Sequence, residues 1–276
     1  MTTSGQHKGA EPTASASSTS RGYQIPEYLD RHAFDHIIHI SLRHRYVYFH
    51  VPKVASTYIL ECLHLLESRH TTVPHPSDPL KWRHRYAMPH DVHSRSGSPL
   101  FMPALLPDDM MHEVLFGDSF FRFAFVREPV RRGISAYYDK IWNATHIRQR
   151  FCALAGIKDT GGEGFLSEED YVSCLPRIPR PVLDLHLRPQ VEILMADSGI
   201  KMDFIGGLHD VTGGLQTVFD RLNIDFKPIA EEAWMREHST KEIQKTRHFS
   251  DVALAGLKDF LAADIAFYNT LGIENG

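Results

Sequence analysis

The chain has 276 residues, 42% of them hydrophobic and 23% charged, which is ordinary for a globular protein with a sizeable core. Its formal net charge of −4, with histidine neutral, argues against a dedicated nucleic-acid binder, because such proteins are usually strongly basic. The three cysteines are widely spaced and form no CxxC pair, which argues against a disulfide framework and a thiolate zinc site. No apolar run approaches the length of a membrane span and no signal peptide is evident, so we expect a soluble, cytoplasmic protein.

Three stretches lack the patterns of regular structure. Residues 1–22 are small and polar apart from Met1, and they predict a disordered tail ahead of a single domain at 23–276. Residues 70–107 are rich in proline and histidine and predict a long irregular excursion, a kind of segment that is often functional. Gly161–Gly164 predict a flexible loop.

The rest of the chain alternates between predicted strands and helices. The strands are Tyr46–Val51, Phe121–Val126 and a short one at Asp203–Ile205, bounded by Gly206 and Gly207. The first predicted helix begins at Ser56 or Thr57 and ends near Ser68, and the second covers Pro107–Phe116 with a cap near Asp108. A third reaches from Pro129 to about Asn143, and two more cover Thr212–Leu222 and Val252–Leu271. The first strands are apolar enough to be buried on both faces, so we predict an α/β fold with a mainly parallel sheet and helices on both sides.

The first segment with a chemical signal is YFHVPKVAST at 48–57. A strand ends, a tight loop carries Lys53, and the hydroxyls of Ser56 and Thr57 start a helix. The first turn of a helix has unpaired N–H groups and a partial positive charge, and Lys53 adds a full charge. The segment therefore predicts an anion site at the carboxyl end of a strand, although the Walker A pattern GxxxxGK[ST] is absent.

The second segment is FRFAFVREP at 121–129, followed by VRRGISAYY. Arg127 directly follows an apolar strand and needs a partner, and Ser135 lies about two turns into the next helix. A guanidinium offers paired donors to phosphate oxygens. At least one of Arg131 and Arg132 is expected on a solvated helix face. Together the two segments favour a ligand with two separated anionic groups.

These paired motifs resemble those of sulfotransferases that use 3′-phosphoadenosine 5′-phosphosulfate (PAPS), in particular the carbohydrate sulfotransferases of the chondroitin type, which have bacterial relatives. The resemblance covers roughly residues 44–270. It implies a P-loop-like three-layer α/β/α fold and PAPS as co-substrate. It also implies transfer of the sulfuryl group to a hydroxyl of a glycan or a glycosylated small molecule. Gly133, Arg131 and Leu187 stand where the family usually has other residues, so the motifs leave the acceptor sugar open.

The resemblance also implies roles for single residues. The 3′-phosphate is bound by Arg127 and Ser135 in a segment that includes Arg132, and this contact distinguishes PAPS from ATP. Lys53 neutralises the charge that develops on the bridging oxygen as the phosphate leaves. The segment that binds the 5′-phosphosulfate consists of Pro52, Lys53, Val54, Ala55, Ser56 and Thr57.

A general base must deprotonate the acceptor hydroxyl. His186 is the first candidate, because it lies in DLHLRPQ, where Asp184 can orient it. His93 and His90, between the two donor motifs, are the alternatives. Most of the 18 histidines are expected to be surface or packing residues.

The histidines also raise the question of a metal. His32, His36 and His39 have helical spacing, and HDVH at 90–93 is a similar pattern. No fourth ligand or HExxH motif accompanies them, and Ile37 and Ile38 can start a strand instead. We therefore expect no metal site.

Two other functions suit an anion site in an α/β fold. A nucleotide kinase or NTPase is disfavoured because the Walker A glycines are missing. A non-catalytic relative that keeps the donor pocket is disfavoured because Lys53, Arg127 and Ser135 are all present. No nucleic-acid partner and no membrane span are expected.

Overall fold

A computed structural model of the protein describes residues 23–69, 93, 95, 98–159, 166–233 and 249–273. The predicted tail at 1–22, the glycine loop at 161–164 and most of the 70–107 excursion lie outside the described residues. The single domain predicted for 23–276 and the cytoplasmic location stay predictions.

The described residues include a four-stranded sheet of mixed direction. Its strands are β1 (Ile38–Ser41), β2 (Tyr46–Phe49), β3 (Phe121–Val126) and β4 (Phe204–Gly207), in the spatial order β1-β2-β3-β4. β1 is antiparallel to β2, whereas β2, β3 and β4 run parallel. The predicted α/β fold with a mainly parallel sheet is confirmed, and the carboxyl ends of its three parallel strands share one edge.

Burial explains why these short sequences form strands. Every residue of β1 and β2 is buried, and in β3 only Phe121 is partly exposed. Such continuous burial is typical of strands covered on both faces. Aromatic side chains of neighbouring strands stack, as for Tyr48 and Phe123 with ring centroids 5.4 Å apart. Burying one such ring contributes roughly 1.5–3 kcal/mol.

The helices account for most of the remaining described residues. The first five are α1 (Arg31–Ile37), α2 (Ser56–Arg69), α3 (Asp108–Phe116), α4 (Pro129–Ala136) and α5 (Thr145–Ala155). The others are α6 (Glu168–Cys174), α7 (Gln190–Ile193), α8 (Val211–Arg221), α9 (Lys227–Glu232), α10 (Asp251–Phe260) and α11 (Ala262–Thr270). Short 3₁₀ helices lie at Pro103–Leu105, Leu175–Arg177, Arg180–Val182 and Leu208–Asp210, and a π-helix at Tyr137–Trp142 continues α4. None of the helices within these described ranges has the length and apolar character needed to cross a bilayer.

Three helix predictions need correction. The cap of α3 is Pro107 rather than Asp108, and it makes no side-chain cap hydrogen bond. The helix predicted from Pro129 to about Asn143 begins as expected but changes to the wider π form at Tyr137. The helix predicted at Val252–Leu271 is broken at Leu261, whose ψ of 14° departs from helical geometry.

The predicted end of the last strand is also wrong, because Gly206 and Gly207 lie inside β4. The reason is steric. A Cβ at Gly206 would lie 2.6 Å from the ring of Phe125, and a Cβ at Gly214 in α8 would meet the same ring at 2.6 Å. The glycines therefore let β4 and α8 approach a phenylalanine of β3, a use of glycine that is typical of close backbone approach.

Gly206→Ala is expected to lower the free energy of unfolding by about 1–3 kcal/mol, because the added methyl group overpacks the Phe125 ring. Chemical denaturation measures the loss. Phe125→Leu serves as the partner in a double-mutant cycle, because a smaller side chain makes room for the methyl group. The double variant should be more stable than the sum of the two single losses predicts, and strict additivity would contradict the steric explanation.

Candidate functional site

The loop after β2 has an unusual backbone. Lys53 and Ala55 have φ angles of 71° and 60°, in the left-handed region that favours glycine. Such residues cost of order 1–3 kcal/mol each and are concentrated at functional sites. The loop ends at Ser56, the first residue of α2, so that Lys53 lies between the end of a strand and the start of a helix.

A buried guanidinium holds this loop in place. Arg132 is 1% exposed, and its Nε donates to the carbonyl of Pro52 at 3.0 Å. Its two terminal nitrogens donate to the carbonyls of Arg188 at 2.7 Å and Leu185 at 3.4 Å. Burial lowers its pKa to about 10, which leaves it charged at neutral pH. Each of its three nitrogens thus donates to a backbone carbonyl, so Arg132, which lies in the same segment as Arg127 and Ser135, supports the backbone around the site. Arg131 is the exposed member of the pair.

Arg127 follows β3 at the same edge of the sheet. Its backbone is clamped by the side-chain amide of Gln190, which accepts from the Arg127 N–H at 2.9 Å and donates to the Arg127 carbonyl at 2.8 Å. The fully buried carboxylate of Asp264 accepts from Gln190 Nε2 at 3.4 Å and from the Val191 N–H at 2.8 Å. These contacts fix where the Arg127 side chain leaves the sheet.

The Arg127 guanidinium itself makes no hydrogen bond or ion pair with any residue that the structure describes. Burial lowers its pKa, and the neighbouring charge of Arg131 acts in the same direction. The Glu128 charge opposes this lowering, but neither Glu128 nor another described residue forms a hydrogen bond or ion pair with the guanidinium. A half-buried guanidinium of this kind suits an external anion such as a phosphate.

Ser135 lies on α4 and is 1% exposed. The first turn of α4 is already occupied, because the Glu128 carboxylate accepts from the Val130 N–H at 3.0 Å and from the Arg131 N–H at 2.7 Å. An anion near this helix is therefore left with the Arg127 and Ser135 side chains rather than with the helix terminus.

Lys53 is paired across the site. Its Nζ lies 3.1 Å from Asp139 Oδ2, and the Nζ of Lys140 lies 3.2 Å from the same oxygen. Burial lowers the pKa of Lys53, the Asp139 charge opposes this, and Lys140 and Arg127 lower it further. The effect of Arg127 on Lys53 shows that the cations at the ends of β2 and β3 lie within electrostatic reach of each other.

His186 is held by a carboxylate. Its Nδ1 lies 2.8 Å from Asp184 Oδ1, which also accepts from the His186 N–H at 2.9 Å. Burial would raise the Asp184 pKa, but the contacts with His186 and the charge of Lys140 bring it down to about 2. Burial lowers the pKa of His186, and Asp184 offsets part of this. The predicted orienting role of Asp184 thus has the geometry it needs.

His93 lies beside the start of α2. Its Nε2 is 3.1 Å from the hydroxyl oxygen of Thr57, and its ring stacks on that of His50 with centroids 5.3 Å apart. His186 also acts on this neighbourhood, because its charge lowers the pKa values of His50 and His36. The structure thus brings His93 and His186 into one region, while His90 lies outside the described residues.

The histidines around His50 are neutral packing residues, as the sequence predicted for most of them. Burial lowers the pKa of His36 to about 4 and that of His64 to about 3, and it holds those of His39 and His50 well below the usual range. The Arg95 charge adds to the shift in each case. His32 and His36 lie on α1, whereas His39 lies in β1, so the three histidines do not share a helix face, and the strand that Ile37 and Ile38 could start is the alternative observed. Within the described ranges no group of three or more ligand side chains is arranged to hold a metal ion.

Comparison with known proteins agrees with this geometry. The model of the sulfotransferase family matches residues 36–269. This chain belongs to the sulfotransferase family.

Two relatives share the family. Carbohydrate sulfotransferase 14 of Mus musculus is 26% identical over 248 residues, which cover 87% of this chain and 60% of the mouse protein. The protein of the same name from Homo sapiens is 25% identical over the same share of each chain. The chain thus spans about three fifths of the length of the curated relatives it matches. No solved structure matches it significantly.

Sequence reasoning missed several residues of this sulfotransferase site. Asp139 and Lys140 follow Ser135 by about one turn, which is a signal that could have been used. Gln190 and Asp264 had no local signal, because they reach Arg127 only through contacts between distant parts of the chain.

The buried histidines predict an acid-labile fold. His36 and His64 have folded-state pKa values near 4 and 3, whereas the unfolded chain binds their protons near pH 6.5. Their contribution to stability is therefore fully present above pH 6.5 and is lost as the pH falls towards these values. Each histidine adds a slope of up to about 1.4 kcal/mol per pH unit.

Chemical denaturation between pH 4 and pH 8 measures this slope. We expect His64→Gln to make it shallower and His146→Gln, an exposed site on α5, to leave it as it is. An unfolding free energy that does not depend on pH between 4.5 and 6.5 would contradict the assignment.

Proposed function

We propose that this protein transfers the sulfuryl group of PAPS to a hydroxyl of a carbohydrate. The observation that carries the proposal is the placement of Lys53 and Arg127 after neighbouring parallel strands, where they form two cationic points at one edge of the sheet. Ligands of open α/β sheets bind at this edge. The names of the two relatives support a carbohydrate as acceptor, because both are carbohydrate sulfotransferases.

The two cationic points match the two anionic ends of PAPS. Lys53 with the loop amides and the hydroxyls of Ser56 and Thr57 binds the 5′-phosphosulfate. Arg127, whose guanidinium is not paired within the described chain, binds the 3′-phosphate together with Ser135. Because ATP lacks a 3′-phosphate, this second contact selects PAPS and its product 3′-phosphoadenosine 5′-phosphate.

The transfer is an in-line displacement at sulfur. The acceptor oxygen forms a bond to sulfur while the bond between sulfur and the bridging phosphate oxygen breaks. Lys53 neutralises the charge that this oxygen gains, and the loop holds the phosphate in line, so that positioning and charge stabilisation supply most of the rate. A sulfuryl group carries fewer charges than a γ-phosphoryl group, so fewer cations are needed.

His186 takes the proton of the acceptor hydroxyl. Asp184 fixes the Nδ1 side of the ring, which leaves Nε2 to accept the proton, and the lowered pKa keeps the ring neutral before the reaction. His93 is the second candidate because it contacts Thr57 at the start of α2. The protein is proposed to act in the cytoplasm, as its sequence predicts.

Arg127→Ala is expected to weaken binding of 3′-phosphoadenosine 5′-phosphate by about 10–100-fold, which corresponds to losing a charge-assisted contact of about 1.5–3 kcal/mol. Isothermal titration measures the change. Arg131→Ala is the matched control, since this neighbouring arginine is exposed and its loss should change affinity little. ATP is titrated in parallel. If the wild-type protein binds ATP more tightly than 3′-phosphoadenosine 5′-phosphate, the proposal is contradicted and a kinase-like function is favoured.

His186→Ala is expected to lower the rate of sulfate transfer by about 10²–10⁴-fold while binding of the donor product stays within a few-fold, because a general base acts on the transition state. Radiolabelled sulfate transfer to a panel of glycans measures turnover. His93→Ala is assayed alongside. If His186→Ala keeps turnover within a few-fold and His93→Ala loses it, the base is His93 and the assignment of His186 is wrong.

A further inference from the structure

One carboxylate oxygen at the site serves two ammonium groups. Asp139 Oδ2 lies 3.1 Å from the Nζ of Lys53 and 3.2 Å from that of Lys140. The two lysines come from different places, because Lys53 lies in the loop after β2 and Lys140 follows Asp139 in the π-helix. Asp139 therefore links the loop to the helix that continues from Ser135.

The π-helix gives Asp139 this position. Tyr137, Tyr138 and Ile141 are fully buried, so the segment is anchored on one side, and Asp139 and Lys140 point toward Lys53. Asp139 is 34% exposed and Lys140 is 21% exposed, so both are partly accessible to solvent. A π segment in an otherwise α-helical run is frequently found at a functional site.

The charges around Lys53 are unbalanced without Asp139. The ammonium group is only 18% exposed, and its charged neighbours besides Asp139 are Arg127 and Lys140, both cationic. Asp139 faces Lys53 and Lys140, and its charge also reaches His186, which in turn faces Asp184. Burying an ammonium beside two like charges is unfavourable unless an anion is present. Before the donor binds, Asp139 is that anion.

Donor binding changes this balance. A phosphosulfate brings its own negative charge to Lys53 and can replace the carboxylate. Asp139 keeps a cationic partner during this exchange, because Lys140 already contacts the same oxygen. The cost of separating a partly buried ion pair is thereby avoided, since each charge keeps a partner throughout.

We propose that Asp139 is a positioning residue for Lys53, which holds the ammonium group at the loop until the donor binds, and that Lys140 then retains the carboxylate while Lys53 moves to the bridging oxygen. This inference rests on the proposed function. It assigns the pair Asp139–Lys140 a part in sulfuryl transfer without contact to the reacting atoms.

The nearly isosteric variant Asp139→Asn tests the proposal. Losing the negative neighbour lowers the Lys53 pKa, so the alkaline limb of kcat/KM, where Lys53 deprotonates, should move to lower pH by at least about half a unit. kcat/KM, which starts from the free enzyme where Asp139 holds Lys53, should fall about 10-fold at neutral pH, whereas affinity for 3′-phosphoadenosine 5′-phosphate should stay equal or rise a few-fold, since a repelling carboxylate is gone. Loss of folding would instead weaken both.

Three further variants sharpen the result. Asp139→Glu keeps the charge and should restore part of the alkaline limb. Asp220→Asn removes an exposed carboxylate on α8 with the same change in net charge and should alter nothing. Lys140→Met should raise the KM for PAPS in the wild-type background and much less in Asp139→Asn, because its role is to receive Asp139. An unchanged alkaline limb and an unchanged kcat/KM in Asp139→Asn, or equal effects of Lys140→Met in both backgrounds, would overturn the proposal.

A direct titration separates this inference from the proposed function. Lysines are labelled by reductive ¹³C-methylation, and the Lys53 signal is identified by its absence in Lys53→Arg. Its midpoint should fall in Asp139→Asn whether or not the protein transfers sulfate. A wild-type protein without activity on any acceptor but with this shift would refute the proposed function alone, whereas an unshifted midpoint would refute the role of Asp139.

Discussion

The buried guanidinium of Arg132 is the contact on which the rest of the site depends. It joins the Pro52 carbonyl of the loop after β2 to the carbonyls of Arg188 and Leu185 on either side of His186. The loop that carries Lys53 and the segment that carries the candidate base thus share one rigid cation. Because the loop contains two residues with left-handed backbone angles, it needs such support to keep its shape.

Most charged side chains at this site are paired with an opposite charge, and the cations slightly outnumber the anions. Asp139 serves two lysines, Asp184 serves His186, and Glu128 occupies the first turn of α4. The guanidinium of Arg127 has no such partner within the described chain. A chain with a net charge of −4 therefore presents a local cationic pocket, which suits a small polyanion better than an extended one such as a nucleic acid.

Local patterns predicted the parts of the fold that local forces determine. The strand at Phe121–Val126 was predicted with its observed bounds, because five of its six residues are apolar and it stands between clear breaks. Arg127 was predicted as a site residue because a charge directly after an apolar strand needs a partner, and Lys53 because it lies between the end of a strand and the hydroxyls that start a helix. The predicted last strand ended too early, because glycine usually ends a strand. The packing of Gly206 on Phe125 explains why the glycine lies inside β4 instead. The break at Leu261 and the π-helix could not be predicted, because neither changes the hydrophobic periodicity of the sequence. Gln190 and Asp264 act through contacts 63 and 74 residues apart in sequence, beyond the reach of any motif.

The contact between Asp264 and Gln190 has a consequence for how the protein is made. The carboxylate lies on α11, the last helix that the structure describes, yet it steadies the backbone of Arg127 in the middle of the chain. Contacts so distant in sequence form late, because the entropy of closing a long loop must be overcome first. During synthesis on the ribosome, the backbone of Arg127 therefore cannot receive this support until α11 has emerged. The segment around Arg127 is accordingly completed only near the end of chain synthesis, although its own residues emerge much earlier.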